Sequence, residues 1–268
     1  MHLLHTEDTD DPRLEDFRDL STADRRPDRP GGKGLVIAEG TVVVQRMIAS
    51  RYPVRAMLGI ERRYRELSAE LAGLDVPMYV TSAETMAAVV GFHLNRGILA
   101  VADRPVPLTV EQVAADAEVV AVLEGVGDHE NLGALFRNAA ALGVGGVLLA
   151  PGCSDPLYRR SVRVSMGHVL RVPFTRLEAW PKGLDQLRSL GFTVAAFTPR
   201  PGSVSLPSLR ERVPGRVALM FGAEGPGLSE EALAAADLAV RIPMPPGVDS
   251  LNIATAAAIG FYEIASRG

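Results

Sequence analysis

The chain is 268 residues long, 47% hydrophobic and 5% aromatic, with a formal net charge of -4 at pH 7, enough to bury one large core or two modest ones. No apolar run approaches the ~20 residues that a membrane helix needs, and the opening M-H-L-L-H-T-E-D-T-D-D lacks the basic-then-apolar plan of a secretory signal, so a cytoplasmic protein of two domains is expected. The lone Cys153 excludes an intrachain disulfide, and His2, His5, His93, His129 and His168 form no pair at ligand spacing, so no metal is expected.

Residues 1–33 are polar and charged, and the run R-P-D-R-P-G-G-K breaks any regular element, so they read as a mobile tail or an early helix with a loop. Charge is divided unevenly. Residues 1–20 carry seven acids against Arg13 and Arg18, whereas 21–65 carry ten basic residues against four acids, a net +6. From Leu35 the pattern becomes regular: strand at 35–39, helix at 42–50, strand at 54–60, helix at 61–72, strand at 77–80, helix at 82–90 capped by Ser82, and strand at 98–102. That alternation makes a compact α/β domain over 34–104.

The run R-P-V-P-L at 104–108 disfavours helix and central strand alike, so 105–116 reads as a linker. Beyond it, strands are expected at 119–123, 146–149, 193–197, 216–221 and 238–242, and helices at 131–142, 157–165, 183–190, 229–235 and 251–265. Strands alternating with helices imply a parallel sheet covered on both faces, forming a second domain over 117–268. Ligands of such sheets bind in loops beyond the carboxyl ends of the strands. A second basic cluster, Arg159, Arg160, Arg163, Arg171 and Arg176, falls in this half. Basic runs are often no more than solvated faces.

Three loops carry unusual chemistry. The run L-E-G-V-G-D-H-E-N-L-G-A-L-F-R at 123–137 places Asn131 and Arg137 on the first turns of a helix that follows a buried strand. An Asn and an Arg there, with glycines that admit a ligand to the backbone, suit an anionic polymer. The loop F-G-A-E-G-P-G-L-S at 221–229 has glycines dense enough to wrap backbone amides around a small flat ligand, with Glu224 available to a cationic group. It is equally a plain turn capped by Ser229. The third, I-P-M-P-P-G-V-D-S-L-N at 242–252, ends on Ser250 and Asn252 beside a small-residue helix, and Asp249 or Ser250 could be an ordinary cap. No G-x-G-x-x-G opens a helix, and Gly31-Gly32-Lys33-Gly34 lacks the gap of a phosphate loop, so both nucleotide motifs are disfavoured. Trp180 is assigned to packing or surface.

In this order, N-x-G-x-x-x-R, G-x-E-G-x-G-L, and I-P-M with S-L-N resemble the three signature motifs of the SpoU (TrmH-like) class of SPOUT RNA methyltransferases. The resemblance covers 119–265, including D-P-L-Y-R-R-S-V-R-V-S-M-G-H at 155–168, and 35–105 resembles the small ribosomal-protein-like α/β substrate domain that many members carry. It departs in two places: Pro245 and Pro246 precede Gly247 where one residue is usual, and Ala254 stands where a Ser is common.

The resemblance implies an α/β fold with a C-terminal trefoil-knotted parallel-sheet domain and an obligate homodimer. It further implies S-adenosylmethionine as cofactor and methyl transfer to a ribose 2′-hydroxyl of transfer or ribosomal RNA. Asn131, Arg137, Ser250 and Asn252 would serve RNA and catalysis. Phe197, Thr198, Gly222, Glu224, Gly225, Gly227, Ile242, Met244, Leu251 and Asn252 would hold the cofactor. RNA would be gripped by Arg51, Arg55, Arg62 and Arg63, and by Arg159, Arg160 and Arg163. Self-protection against an antibiotic by ribosomal RNA methylation, and a non-catalytic RNA- or ribosome-binding protein of the same fold, are the alternatives.

Overall fold

A computed structural model describes residues 2–20, 34–248 and 250–265. The chain divides into two compact units, Met1–Val106 with Leu157–Arg171, and Pro107–Pro156 with Val172–Gly268.

The first unit is built on a five-stranded mixed sheet. Its elements are β1 (His2–His5), β2 (Val36–Glu39), α1 (Thr41–Ile48), β3 (Val54–Gly59), α2 (Glu61–Glu66), α3 (Ser68–Leu71), β4 (Pro77–Val80), α4 (Ala83–Val90) and β5 (Ile98–Ala102), with strand order β1-β4-β3-β5-β2. β2 and β5 are buried along their whole length, as the apolar runs Val36–Ala38 and Ile98–Ala102 require, with Glu39 the one charge among them. The expected helix over 61–72 breaks at Leu67 into α2 and α3.

The expected tail is corrected by the structure. β1 pairs in parallel with β4, and Asp11 caps a 3-10 turn, Pro12–Phe17, whose Leu14 and Phe17 are fully buried. Phe17 meets the Tyr79 ring edge-on at 6.5 Å. Two apolar residues three apart bury one side of that turn and leave the acids outside, a pattern that the charge of the segment obscures. Residues 21–33, including Arg25, Arg26, Arg29 and Lys33 of the basic run, lie outside the described residues.

The second unit is a seven-stranded sheet in which every pairing is parallel. It opens with α5 (Val110–Ala114), β6 (Val119–Glu124), α6 (His129–Ala141) and β7 (Gly146–Leu149). The expected linker therefore contains a helix: a capping box between Thr109 and Gln112 starts α5, and Val110, Val113 and Ala114 enter the core. After β7 comes α7 (Arg159–Val164), which belongs with 157–171 to the first unit, a second correction to the expected boundaries. There α7 packs on β2, Val162 and Val169 are fully buried, and Arg46 bonds the Met166 carbonyl.

The second unit then continues through β8 (Phe174–Arg176), α8 (Gly183–Ser189), β9 (Thr193–Phe197), β10 (Val204–Ser205), α9 (Leu209–Arg212), β11 (Val217–Gly222), α10 (Glu230–Ala234), β12 (Leu238–Arg241) and α11 (Ile253–Ala265). Strand order is β10-β12-β9-β11-β6-β7-β8, so the carboxyl ends of β12, β9, β11 and β6 are neighbours. Among the described residues no helix is long and apolar enough to cross a membrane.

Candidate functional site

The loops after β9, β11 and β12 enclose a cavity of about 740 Å³. Phe197 and Thr198 enter it from the end of β9, Gly222, Glu224, Gly225 and Gly227 from the loop after β11, and Ile242, Met244, Ser250, Leu251 and Asn252 from the segment after β12. Every cofactor-binding residue expected from sequence therefore lines one space. Arg200, Phe221, Val240 and Ala256 line it too and carried no signal of their own in the sequence.

Backbone packing explains the glycines. Gly222 stands opposite Glu124 in the β11–β6 register, and the loop folds back on it so closely that a Cβ there would lie 2.1 Å from the Gly227 carbonyl carbon. Gly225 and Gly227 have φ of +87° and +73° with open space around a Cβ, so their need is conformational. Gly260 was not singled out from sequence, yet its Cβ would lie 2.7 Å from the Phe197 ring. Its absence lets α11 lie against the stack in which Phe221 meets Phe197 at 4.5 Å and Phe261 at 5.7 Å.

The polar rim centres on Asn252. Its Oδ1 accepts from the backbone N–H groups of Ala254 and Thr255 at 3.0 and 3.2 Å, capping α11. That fixes the amide so that Nδ2 faces the loops and donates to Glu224 Oε1 at 2.6 Å and Asn131 Oδ1 at 2.8 Å. Capping and site roles are thus joined in one side chain, whose amide supplies acceptor and donor at once. Asn131 is held in the first turn of α6, where Asp128 accepts from its backbone N–H at 2.8 Å. Ser250 is exposed at the cavity wall, and Asp249 lies outside the described residues.

Arg137 is not brought to this cavity. Six positions beyond Asn131, it stands about 9 Å along the helix and about 120° around it. Its side chain is exposed, and no hydrogen bond or ion pair closes on it among the described residues. Cys153 is buried, bonded through Sγ to the Leu123 carbonyl at 3.1 Å, and burial pushes its thiol up, which keeps it from acting as a thiolate nucleophile.

The arginines offered to RNA separate into two groups. Arg55 lies between Asp16 and Asp103 at 3.2 and 3.1 Å, Arg63 bonds Glu66 and the Arg96 carbonyl, and Arg51 bonds the Val106 carbonyl. Arg159 stands 3.7 Å from buried Glu39 and 4.5 Å above the Phe92 ring centre, and desolvation pulls its guanidinium below the ordinary value against the pull of Glu39. These four are occupied by their own unit. Arg62, 3.5 Å from Glu66, and Arg160 and Arg163 on α7 are exposed, as are Arg51 and Arg55.

The profile of the SpoU rRNA methylase family matches residues 118–262. An uncharacterised tRNA/rRNA methyltransferase of Mycobacterium tuberculosis is 57% identical over 97% of this chain and 91% of its own length. An AdoMet-bound rRNA methyltransferase from Sinorhizobium meliloti superposes with a TM-score of 0.82, at 22% identity, over 99% of this chain and 98% of that one. An RNA 2′-O ribose methyltransferase superposes with a TM-score of 0.75, at 25% identity, over 99% of both chains.

Proposed function

Because the chain belongs to the SpoU rRNA methylase family, we propose that it transfers a methyl group from S-adenosylmethionine to a ribose 2′-hydroxyl of transfer or ribosomal RNA. The observation that carries this reading is the Glu224–Asn252–Asn131 cluster at the rim of the glycine-lined cavity.

The cavity fits that cofactor. Phe197, Val240, Ile242 and Leu251 offer apolar walls to a flat adenine, and the glycines leave backbone amides open to close approach. Glu224 offers negative charge to a sulfonium. When bound, the cofactor supplies a methyl group already activated by positive sulfur. The protein's own task is then alignment, a proximity contribution that reaches ~7 to 11 kcal/mol in well-oriented systems. Asn252, fixed by its cap, and Asn131, fixed by Asp128, are rigid enough to orient the ribose. Arg137 is a poor base at a guanidinium pKa of about 12.5 or above; it holds a phosphate through two parallel bonds and stabilises the developing alkoxide.

The exposure of Arg137 supports a homodimer in which it serves the partner's cavity. Ile259 and Tyr262 are exposed on α11, the helix that packs on α6, and offer an apolar face to a second copy. Membership of the family is the ground for reading the C-terminal segment, whose loops after β9, β11 and β12 line one cavity, as threaded into a trefoil knot. The first unit is the RNA-recognition domain, with Arg62, Arg160 and Arg163 as its phosphate contacts.

Incubation with labelled cofactor and with transfer or ribosomal RNA from cells lacking the protein tests the reading. A 2′-O-methylated nucleotide that resists alkaline cleavage is expected in one RNA class. Label on a base alone, or in neither RNA, would overturn it.

A further inference from the structure

Glu124 ends β6, next to Gly222 in the sheet, but lines no wall of the cavity. Its carboxylate collects three donors from two distant segments. Oε1 accepts from the Trp180 indole Nε1–H at 2.6 Å and from the Ser229 hydroxyl at 2.7 Å, and Oε2 accepts from the Ser229 backbone N–H at 2.8 Å. Ser229 is also the cap of α10, accepting from Ala232 N–H at 3.2 Å. The cavity loop is therefore held at two posts. Gly222 fixes its start through β11–β6 pairing, and Glu124 fixes its end at Ser229, immediately after Leu228. Between them, Gly227 N–H closes on the Ala223 carbonyl at 3.0 Å.

We propose that Glu124 is a positioning residue for cofactor binding: it sets the Gly222–Leu228 loop in its receptive shape and couples that loop to Trp180, the chain's sole tryptophan. A glutamate is required because three N–H and O–H donors converge on two oxygens. Gln turns one acceptor into a donor facing donors, Asp is one methylene too short to reach both segments, and Ala strands the indole N–H and the Ser229 amide. Trp180 is joined to the same oxygen as the Ser229 hydroxyl, so its emission responds when a ligand tightens the loop.

This inference rests on the cofactor reading above, and the test separates the two. S-adenosylhomocysteine is titrated into the full chain by calorimetry and by Trp180 fluorescence. Wild type binds, with an emission change whose midpoint matches the calorimetric Kd. Glu124→Gln is expected to weaken binding at least tenfold and to raise KM for S-adenosylmethionine far more than it lowers kcat, with Glu124→Asp intermediate. Should Glu124→Gln not fold, Trp180→Phe and Ser229→Ala each remove one donor and are expected to weaken binding by a smaller factor. Wild-type affinity in Glu124→Gln, or in both of those milder variants, overturns the inference while leaving the cofactor reading intact, and so does a Trp180 emission unmoved at saturation. No binding by wild type in calorimetry overturns both.

Discussion

In the second unit, Asn252 donates to Glu224 and Asn131 while capping α11, and Asn252 and Glu224 line an open cavity with Asn131 bonded beside them. In the first unit, Arg55, Arg63 and Arg159 close on Asp16, Asp103, Glu66 and Glu39 of their own fold. Both regions are rich in polar groups, but their partners differ in kind. The cavity holds its polar atoms beside empty space that a ligand can enter. Arg159 is spent inside its unit, where its removal leaves buried Glu39 uncompensated, whereas the solvent-facing pairs of Arg55 and Arg63 hold their charges only weakly. A run of basic residues in a sequence therefore overstates the surface available to RNA, whereas a glycine-spaced loop understates how strictly it is built.

The largest break in this comparison is expected from Gly222→Ala. Its new methyl meets backbone on a loop held at both ends, so cofactor affinity should fall more than 100-fold by calorimetry; retention of wild-type affinity would remove the loop from the site. Next comes Arg137→Ala. Exposed and away from the cavity of its own chain, it should lower methyl transfer by ~10²–10³, the range for one charge-stabilising donor, with cofactor Kd changed less than twofold. A parallel rise in Kd would instead assign Arg137 to the cofactor.

Charge reversal sharpens the contrast between the two groups of arginines. Arg62→Glu with Arg163→Glu should weaken RNA binding several-fold at low salt and flatten its salt dependence. Arg159→Gln should instead lower the melting temperature, because Glu39 is 7% exposed and loses its counter-charge. The smallest effect is that of Glu7, whose carboxyl is held below its ordinary value by the Thr85 hydroxyl first and then by Ser82. A depressed pKa contributes stability above the unfolded value of about 4.3 and loses it as pH falls through the folded value. Wild type should thus melt above Glu7→Gln at pH 7 by no more than about 2–4 °C, with the gap closing as pH falls through the folded value.

Most of the parallel sheet was legible in the sequence because its strands are unbroken apolar runs separated by glycine and proline. The three loops were legible because Asn131, Glu224 and Asn252 recur with glycines at strand ends. What periodicity cannot give is the partner of an element. Nothing in L-Y-R-R-S-V-R-V says that α7 joins the first unit and packs there on β2. Nor does the acidic segment P-R-L-E-D-F announce that Leu14 and Phe17 are core. Glu124 reads as one more charge at a strand end until Trp180, 56 residues later, is found on it.

Hydrogen–deuterium exchange with and without S-adenosylhomocysteine tests the central claim most directly, that the cavity of the second unit is where the cofactor binds. Protection is expected in 222–228 and 242–252, with the strands and helices of 54–66 unchanged. Protection confined to the first unit, or none at saturating ligand, would contradict it.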